Sequence, residues 1–78
     1  MIQKHDPVVI LDALGGKENI VSLDNCVTRL RLVVHDMNKL QENVLKQAGA
    51  LSVVKIDEHS VQVIIGAQVQ TVKDNLDA

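Results

Sequence analysis

Asp24-Asn25-Cys26-Val27-Thr28-Arg29-Leu30-Arg31-Leu32-Val33-Val34 is the stretch on which the reading of this chain turns. Leu30, Leu32 and Val34 are apolar at every second position, and Arg29 and Arg31 fall between them. Side chains two apart on a strand share a face. The alternation therefore predicts a strand from Thr28 to Val34 with its leucines turned to a core. Both guanidinium groups then stand on the opposite face. Asp24-Asn25-Cys26 reads as the turn leading into that strand, and it holds the only cysteine. A thiol beside two fixed cations is suited to carrying a phosphoryl group.

The flanks complete a pattern. Ile20–Leu23 reads as a short first strand, so the quoted stretch becomes the return of a hairpin. Upstream, Asp6-Pro7 marks a helix start, Val8, Ile10, Leu11 and Leu14 form its apolar face, and Gly15-Gly16 stops it. Met1–His5 reads as a loose lead-in and Lys17-Glu18-Asn19 as a polar connector. Downstream, Asn38 and Gln41 resemble a capping box at the start of a second helix. Leu40, Val44, Leu45 and Ala48 line that helix, Glu42 and Lys46 are spaced to pair on its outer side, and Gly49 ends it. Leu51–Ile56 and Val61–Ile65 are predicted strands around an Asp57-Glu58-His59-Ser60 turn, and Val69, Val72 and Leu76 mark a closing helix.

The order helix, hairpin, helix, hairpin, helix predicts an α+β fold: a four-stranded antiparallel sheet with three helices packed on one face. The other face is left to water, as antiparallel sheets allow. The chain has 78 residues, enough for a single domain over 1–78 with a small core. Hydrophobic residues make up 46% of it, with no Phe, Tyr or Trp, so the core must be aliphatic. No aromatic platform exists for stacking bases, and the net charge is −2 with scattered basic residues. Both points argue against nucleic acid as a partner. A lone cysteine precludes an internal disulfide and suits a reducing cytoplasm.

The chemistry can be narrowed further. A lone cysteine is most often a small buried hydrophobe, but this one falls in a polar segment followed by two arginines. Nearby cations favour thiolate, and arginine forks match phosphate oxygens in a way lysine does not. Thr28 can offer its hydroxyl to a phosphate, although a strand threonine is equally ordinary. Asn25 reads as a loop-shaping residue and Asp24 as a turn residue without a chemical role. His5, His35 and His59 lack metal-ligand spacing, so no metal is expected. Gly15-Gly16-Lys17 lacks the rest of a nucleotide-binding loop, so no cofactor is expected and a phosphoryl donor would be another phosphoprotein. A cysteine phosphatase wraps phosphate in a glycine-bearing loop before a helix. Here the arginines follow Cys26 too soon and the segment continues as a strand.

Leu14-Gly15-Gly16-Lys17-Glu18-Asn19-Ile20, the Cys26-Val27-Thr28-Arg29-Leu30-Arg31 block after Asp24-Asn25, and Gly49-Ala50 together resemble the IIB domain of the bacterial phosphoenolpyruvate-dependent sugar phosphotransferase system, glucose/sucrose superfamily. The resemblance implies the same α+β architecture. It implies that Cys26 accepts a phosphoryl group from a phosphohistidine on a phosphorylated IIA partner. Cys26 then passes it to a sugar held by the membrane-embedded IIC domain. Arg29 and Arg31 match the arginines that support transfer, and Asn25, Val27 and Thr28 match the phosphate-cradling segment. The isolated domain is expected to be monomeric and cytoplasmic, at the inner face of the membrane when tethered to IIC. It is compatible with excision from a longer IIBC or IIABC chain. Two other readings stand beside this one: a regulatory IIB-like interaction module without sugar transfer, and a thiol redox sensor.

Overall fold

The computed structural model describes residues 4–77, so Met1, Ile2 and Gln3 of the expected lead-in lie outside the described residues. Three helices, α1 (Pro7–Ala13), α2 (Glu42–Gln47) and α3 (Val69–Asp77), accompany four strands, β1 (Ile20–Cys26), β2 (Arg29–Val34), β3 (Ser52–Lys55) and β4 (Ser60–Ile64). Every strand pairing is antiparallel and the spatial order is β1-β2-β4-β3. The two hairpins thus meet through their return strands, which puts β2 in the interior of the sheet and β1 at an edge. The α+β architecture matches the one expected from the sequence.

The apolar alternation does what its period requires. Leu30, Leu32 and Val34 of β2 and Val61 and Val63 of β4 are buried, joined by Ile10, Leu14, Leu45, Val69, Val72 and Leu76 from the helical layer. Burying an aliphatic side chain of this size contributes about 1.5–3 kcal/mol. Because the core contains no aromatic ring, many medium-sized side chains carry the hydrophobic stabilisation between them. α3 lies against β1 and β2, α2 lies against β3, and α1 bridges α2 and α3.

Three local expectations change. Lys17–Asn19 is a 3-10 turn, and Asn19 within it is 2% exposed. Its Nδ2 donates to the carbonyls of Leu14 and Asp36, and its Oδ1 accepts from the Asp36 amide. The side chain therefore satisfies backbone groups that no regular element could reach. Gly15, at φ +96°, makes room for it: a Cβ there would come within 2.7 Å of the Asn19 Nδ2. At the second helix, Asp36 caps a 3-10 turn at Met37–Lys39, and α2 begins only at Glu42 with Gln41 before it. The Asn38–Gln41 capping box does not form, because Asp36 already accepts from the Asn38 amide. Nor does Glu42 pair with Lys46; its Oε1 meets Lys55 Nζ of β3 at 3.1 Å, tying helix to sheet.

Candidate active site

The bend of the first hairpin is two residues further along than expected. Asp24, Asn25 and Cys26 are part of β1, paired with Arg31, Leu30 and Arg29 respectively, and the connection is Val27-Thr28. The pattern Asp-Asn-Cys looked like a turn because its residue types favour turns. Pairing with the strongly alternating β2 overrides that preference. Val27 takes the strain instead: it is a β-branched residue at φ 52°, where glycine is the residue expected. Its side chain is 82% exposed, so burial does not compensate for that conformation. The carbonyl of Thr28 accepts from the amides of both Ile65 and Gly66 at 2.9 Å. Those bonds fasten the bend to the segment entering α3.

Register now assigns every side chain near the bend to a face. Cys26 is directly opposite Arg29. Directly opposite residues have Cβ atoms about 5 Å apart. Because Leu30 and Leu32 point into the core, Arg29, Arg31, Cys26 and Asp24 share the face that no helix covers. Cys26 is half-buried and its thiol is free. Arg29 Nη1 donates to Gln62 Oε1 of β4 at 3.1 Å. Arg31 Nη2 lies 3.9 Å from Asp24 Oδ2, with both side chains more than half exposed. Behind the first row, the face carries a depression of about 440 Å³ whose walls include Asp24, Arg31, Gln62, Val33 and Ile56.

Of the residues singled out in the sequence, Cys26, Arg29 and Arg31 are brought together on one face, and Val27 and Thr28 round the bend beside them. Asn25 is turned the other way. It is opposite Leu30, and its Nδ2 donates to Gln70 Oε1 of α3 at 3.0 Å. Its backbone amide donates to the Asp24 carboxylate at 2.8 Å. Asn25 therefore ties β1 to α3. Two further residues join the group: Gln62, which the sequence did not single out, and Asp24, which it read as a turn residue without a chemical role. Gln62 is 33 positions from Arg29, and only the β2–β4 register, with Arg31 opposite Gln62, brings it in. Asp24 sat within the quoted stretch, but its partner became legible only when it was placed on β1 instead of in a turn.

The fold and the site define a class: a small α+β domain presenting one thiol and two arginines on the uncovered face of an antiparallel sheet. Residues 9–41, which include that site, match the family described as phosphotransferase system, EIIB. The chain is 57% identical over 67 residues to the PTS system maltose-specific EIICB component of Escherichia coli K12, a match covering 86% of this chain and 13% of that protein. It is 47% identical over 77 residues to the N-acetylglucosamine-specific EIICB component of Bacillus subtilis 168, covering 99% of this chain and 17% of that one. The phosphotransferase enzyme IIB component GlvB of E. coli K12 is 46% identical over 70 residues, covering 88% of this chain and 43% of GlvB. In fold, the chain superimposes with a TM-score of 0.75 on one domain of a PTS IIabc component from Clostridium difficile. That match has 21% identity and covers 95% of this chain and 83% of that one.

The chain belongs to the EIIB family of the phosphotransferase system. It spans less than half the length of each of these sequence relatives. Among the described residues, no helix is long and apolar enough to cross a membrane.

Proposed function

We propose that this domain carries a phosphoryl group between a IIA phosphohistidine and a sugar bound by a IIC domain, with Cys26 as the transient acceptor. The observation that carries this reading is the placement of Cys26 opposite Arg29, with Arg31 in the next row of the same uncovered face. In the first step sulfur attacks phosphorus, the S–P bond forms as the N–P bond breaks, and the thiol proton ends on the departing imidazole. In the second, a sugar hydroxyl attacks phosphorus, the S–P bond breaks, and the hydroxyl proton returns to sulfur. Both are displacements in which positioning and charge do the catalytic work.

The residues divide that work. Arg29, held by Gln62, is set to meet phosphoryl oxygens beside sulfur, and guanidinium forks can do so in a bidentate manner. Arg31 supplies a second cation from the adjacent row. Val27 and Thr28 shape the bend that presents the sulfur. An uncovered, shallow face suits two partners that dock in turn and leave. The domain would work at the inner face of the membrane, joined to or docked on IIC.

The test is transfer itself. With phosphorylated IIA supplied, the domain should acquire a base-stable, acid- and iodine-sensitive phosphoryl label that Cys26→Ser abolishes. A label that survives the substitution rules the assignment out. Indifference to phosphorylated IIA would favour the interaction-module or redox readings instead.

A further inference from the structure

We propose that Asp24 is a positioning residue that occupies Arg31 while Cys26 is bare and cedes it when sulfur carries phosphate, so that the phosphocysteine is kept ready to give its group away. This rests on the phosphoryl-carrier reading above and adds to it a control on how tightly the group is held.

The placement is specific. Asp24 and Cys26 are two apart on β1 and share the uncovered face. At strand rise the carboxylate stands about 7 Å from the sulfur's position along that face. Its two oxygens have separate tasks: Oδ1 accepts the Asn25 amide at 2.8 Å, and Oδ2 faces Arg31 Nη2 at 3.9 Å. Other groups reach the same region. Arg29 and Gln62 stand on the next strands of this face. From α3, Lys73 is held above its ordinary pKa chiefly by its hydrogen bond to Asp77, at 2.7 Å, with the charge of Asp24 a smaller contributor.

The strength of the Asp24–Arg31 pair decides what it can do. Its separation is long and its side chains are 53% and 66% exposed, so the pair is worth little and is easily exchanged. A phosphoryl dianion offers stronger, charge-assisted bonds to the same guanidinium. Arg31 should therefore leave Asp24 when Cys26 is loaded. The freed carboxylate then faces a dianion without a cation between them, and like charges at that distance repel. Two carboxylate-side effects add: competition for Arg31, and direct repulsion. Both make transfer away from sulfur more favourable than it would be with arginines alone.

Asp24→Asn is the informative variant, because the amide oxygen keeps the bond to the Asn25 amide while the charge is removed. In a closed mixture of this chain with phosphorylated IIA, the equilibrium constant for transfer onto Cys26 should rise roughly three- to tenfold after allowance for salt screening. The second ionisation of the phosphocysteine, followed by its phosphorus NMR shift against pH, should move down by a few tenths of a unit. In an Arg31→Gln background the same substitution should change the partition less, because the competition has been removed.

A partition and titration unmoved by Asp24→Asn, or moved the other way, overturn the proposal. An effect of equal size in the Arg31→Gln background overturns the holding of Arg31. Failure of the wild-type chain to accept phosphate from IIA at all is a different result, and it removes the carrier reading itself.

Discussion

Arg29 and Gln62 are joined across β2 and β4 by a hydrogen bond of 3.1 Å from Nη1 to Oε1, on the face that also carries Cys26. The bond restricts a side chain with several rotatable torsions to a narrow set of directions, on the strand directly beside the thiol. Preorganisation of this kind matters for a charge that must meet a phosphoryl group as it moves. Gln62→Leu keeps the volume and removes the acceptor. Because the bond is only part-buried, the fold should lose less than about 1 kcal/mol. The rate of sugar phosphorylation at saturating phosphorylated IIA should nevertheless fall about tenfold, with Arg29→Lys falling at least as far because the fork is lost. Initial rates alongside thermal melts check this. Unchanged rates in both variants would remove Arg29 and its partner from the proposed chemistry.

Val27 supplies a second expectation, this time about stability. A β-branched residue at φ 52° occupies a conformation that costs about 1–2 kcal/mol relative to its preferred ones. Glycine adopts it freely but loses more backbone entropy on folding, by roughly 0.5–1 kcal/mol. The side chain is exposed, so its removal uncovers no cavity. Val27→Gly should therefore stabilise the domain by up to about 1 kcal/mol, a rise in Tm of about 4–8 °C for a chain of this size. A strained valine at the bend that presents Cys26 is consistent with a local requirement other than stability. A melt of Val27→Gly at or below the wild-type temperature would show that the bend does not store the strain assigned to it.

Much of this site could be read along the chain because its signals are local in period. Leu30, Leu32 and Val34 alternate strictly, and that alone fixed which face Arg29 and Arg31 would occupy. The helices around Ile10, Leu45 and Val72 announced themselves through apolar spacing, the first two also through glycine stops. Where the sequence misled, competing bonds decided the outcome. Asp24, Asn25 and Cys26 have turn chemistry but extend as strand because β2 offers them a complete ladder. Asn38 could cap a helix, but Asp36 reached its amide first. Gln62 and Asn19 are polar residues whose importance comes from partners distant in sequence, and single-chain periodicity carries no record of those.

Asn19 is the sharpest of these cases for folding. Three of its side-chain bonds end on backbone groups, linking the stop of α1 to the exit of β2, and the residue is almost wholly buried. Asn19→Ala removes the buried bond to the Leu14 carbonyl and the two part-buried bonds to Asp36, whose carbonyl still accepts the Lys39 amide, and it opens a small void. Each buried group left unsatisfied costs about 1–3 kcal/mol. Partial relaxation and entry of water should hold the total near 3 kcal/mol, which lowers Tm by about 12–24 °C. Urea denaturation of the variant checks the value. A loss below about 1 kcal/mol would mean that the bonds seen at Asn19 are replaceable by solvent.

Acid tests the end of the sheet away from Cys26. Asp57 Oδ1 accepts the amides of His59 and Ser60 at 2.9 and 2.8 Å, closing the β3–β4 turn. Those two backbone bonds favour the carboxylate and hold its pKa below the ordinary value of 3.8. A carboxyl depressed in the folded state stabilises above its unfolded pKa, and that share is lost as pH falls through the folded value. Stability should therefore decline on the acid side partly through Asp57, and the neutral amide of Asp57→Asn cannot take part in that decline. Urea midpoints compared at about pH 6 and about pH 2.5 should place the variant below wild type at the higher pH, with the gap narrowing at the lower. A gap that stays constant or widens in acid would show that Asp57 does not contribute to the acid limb.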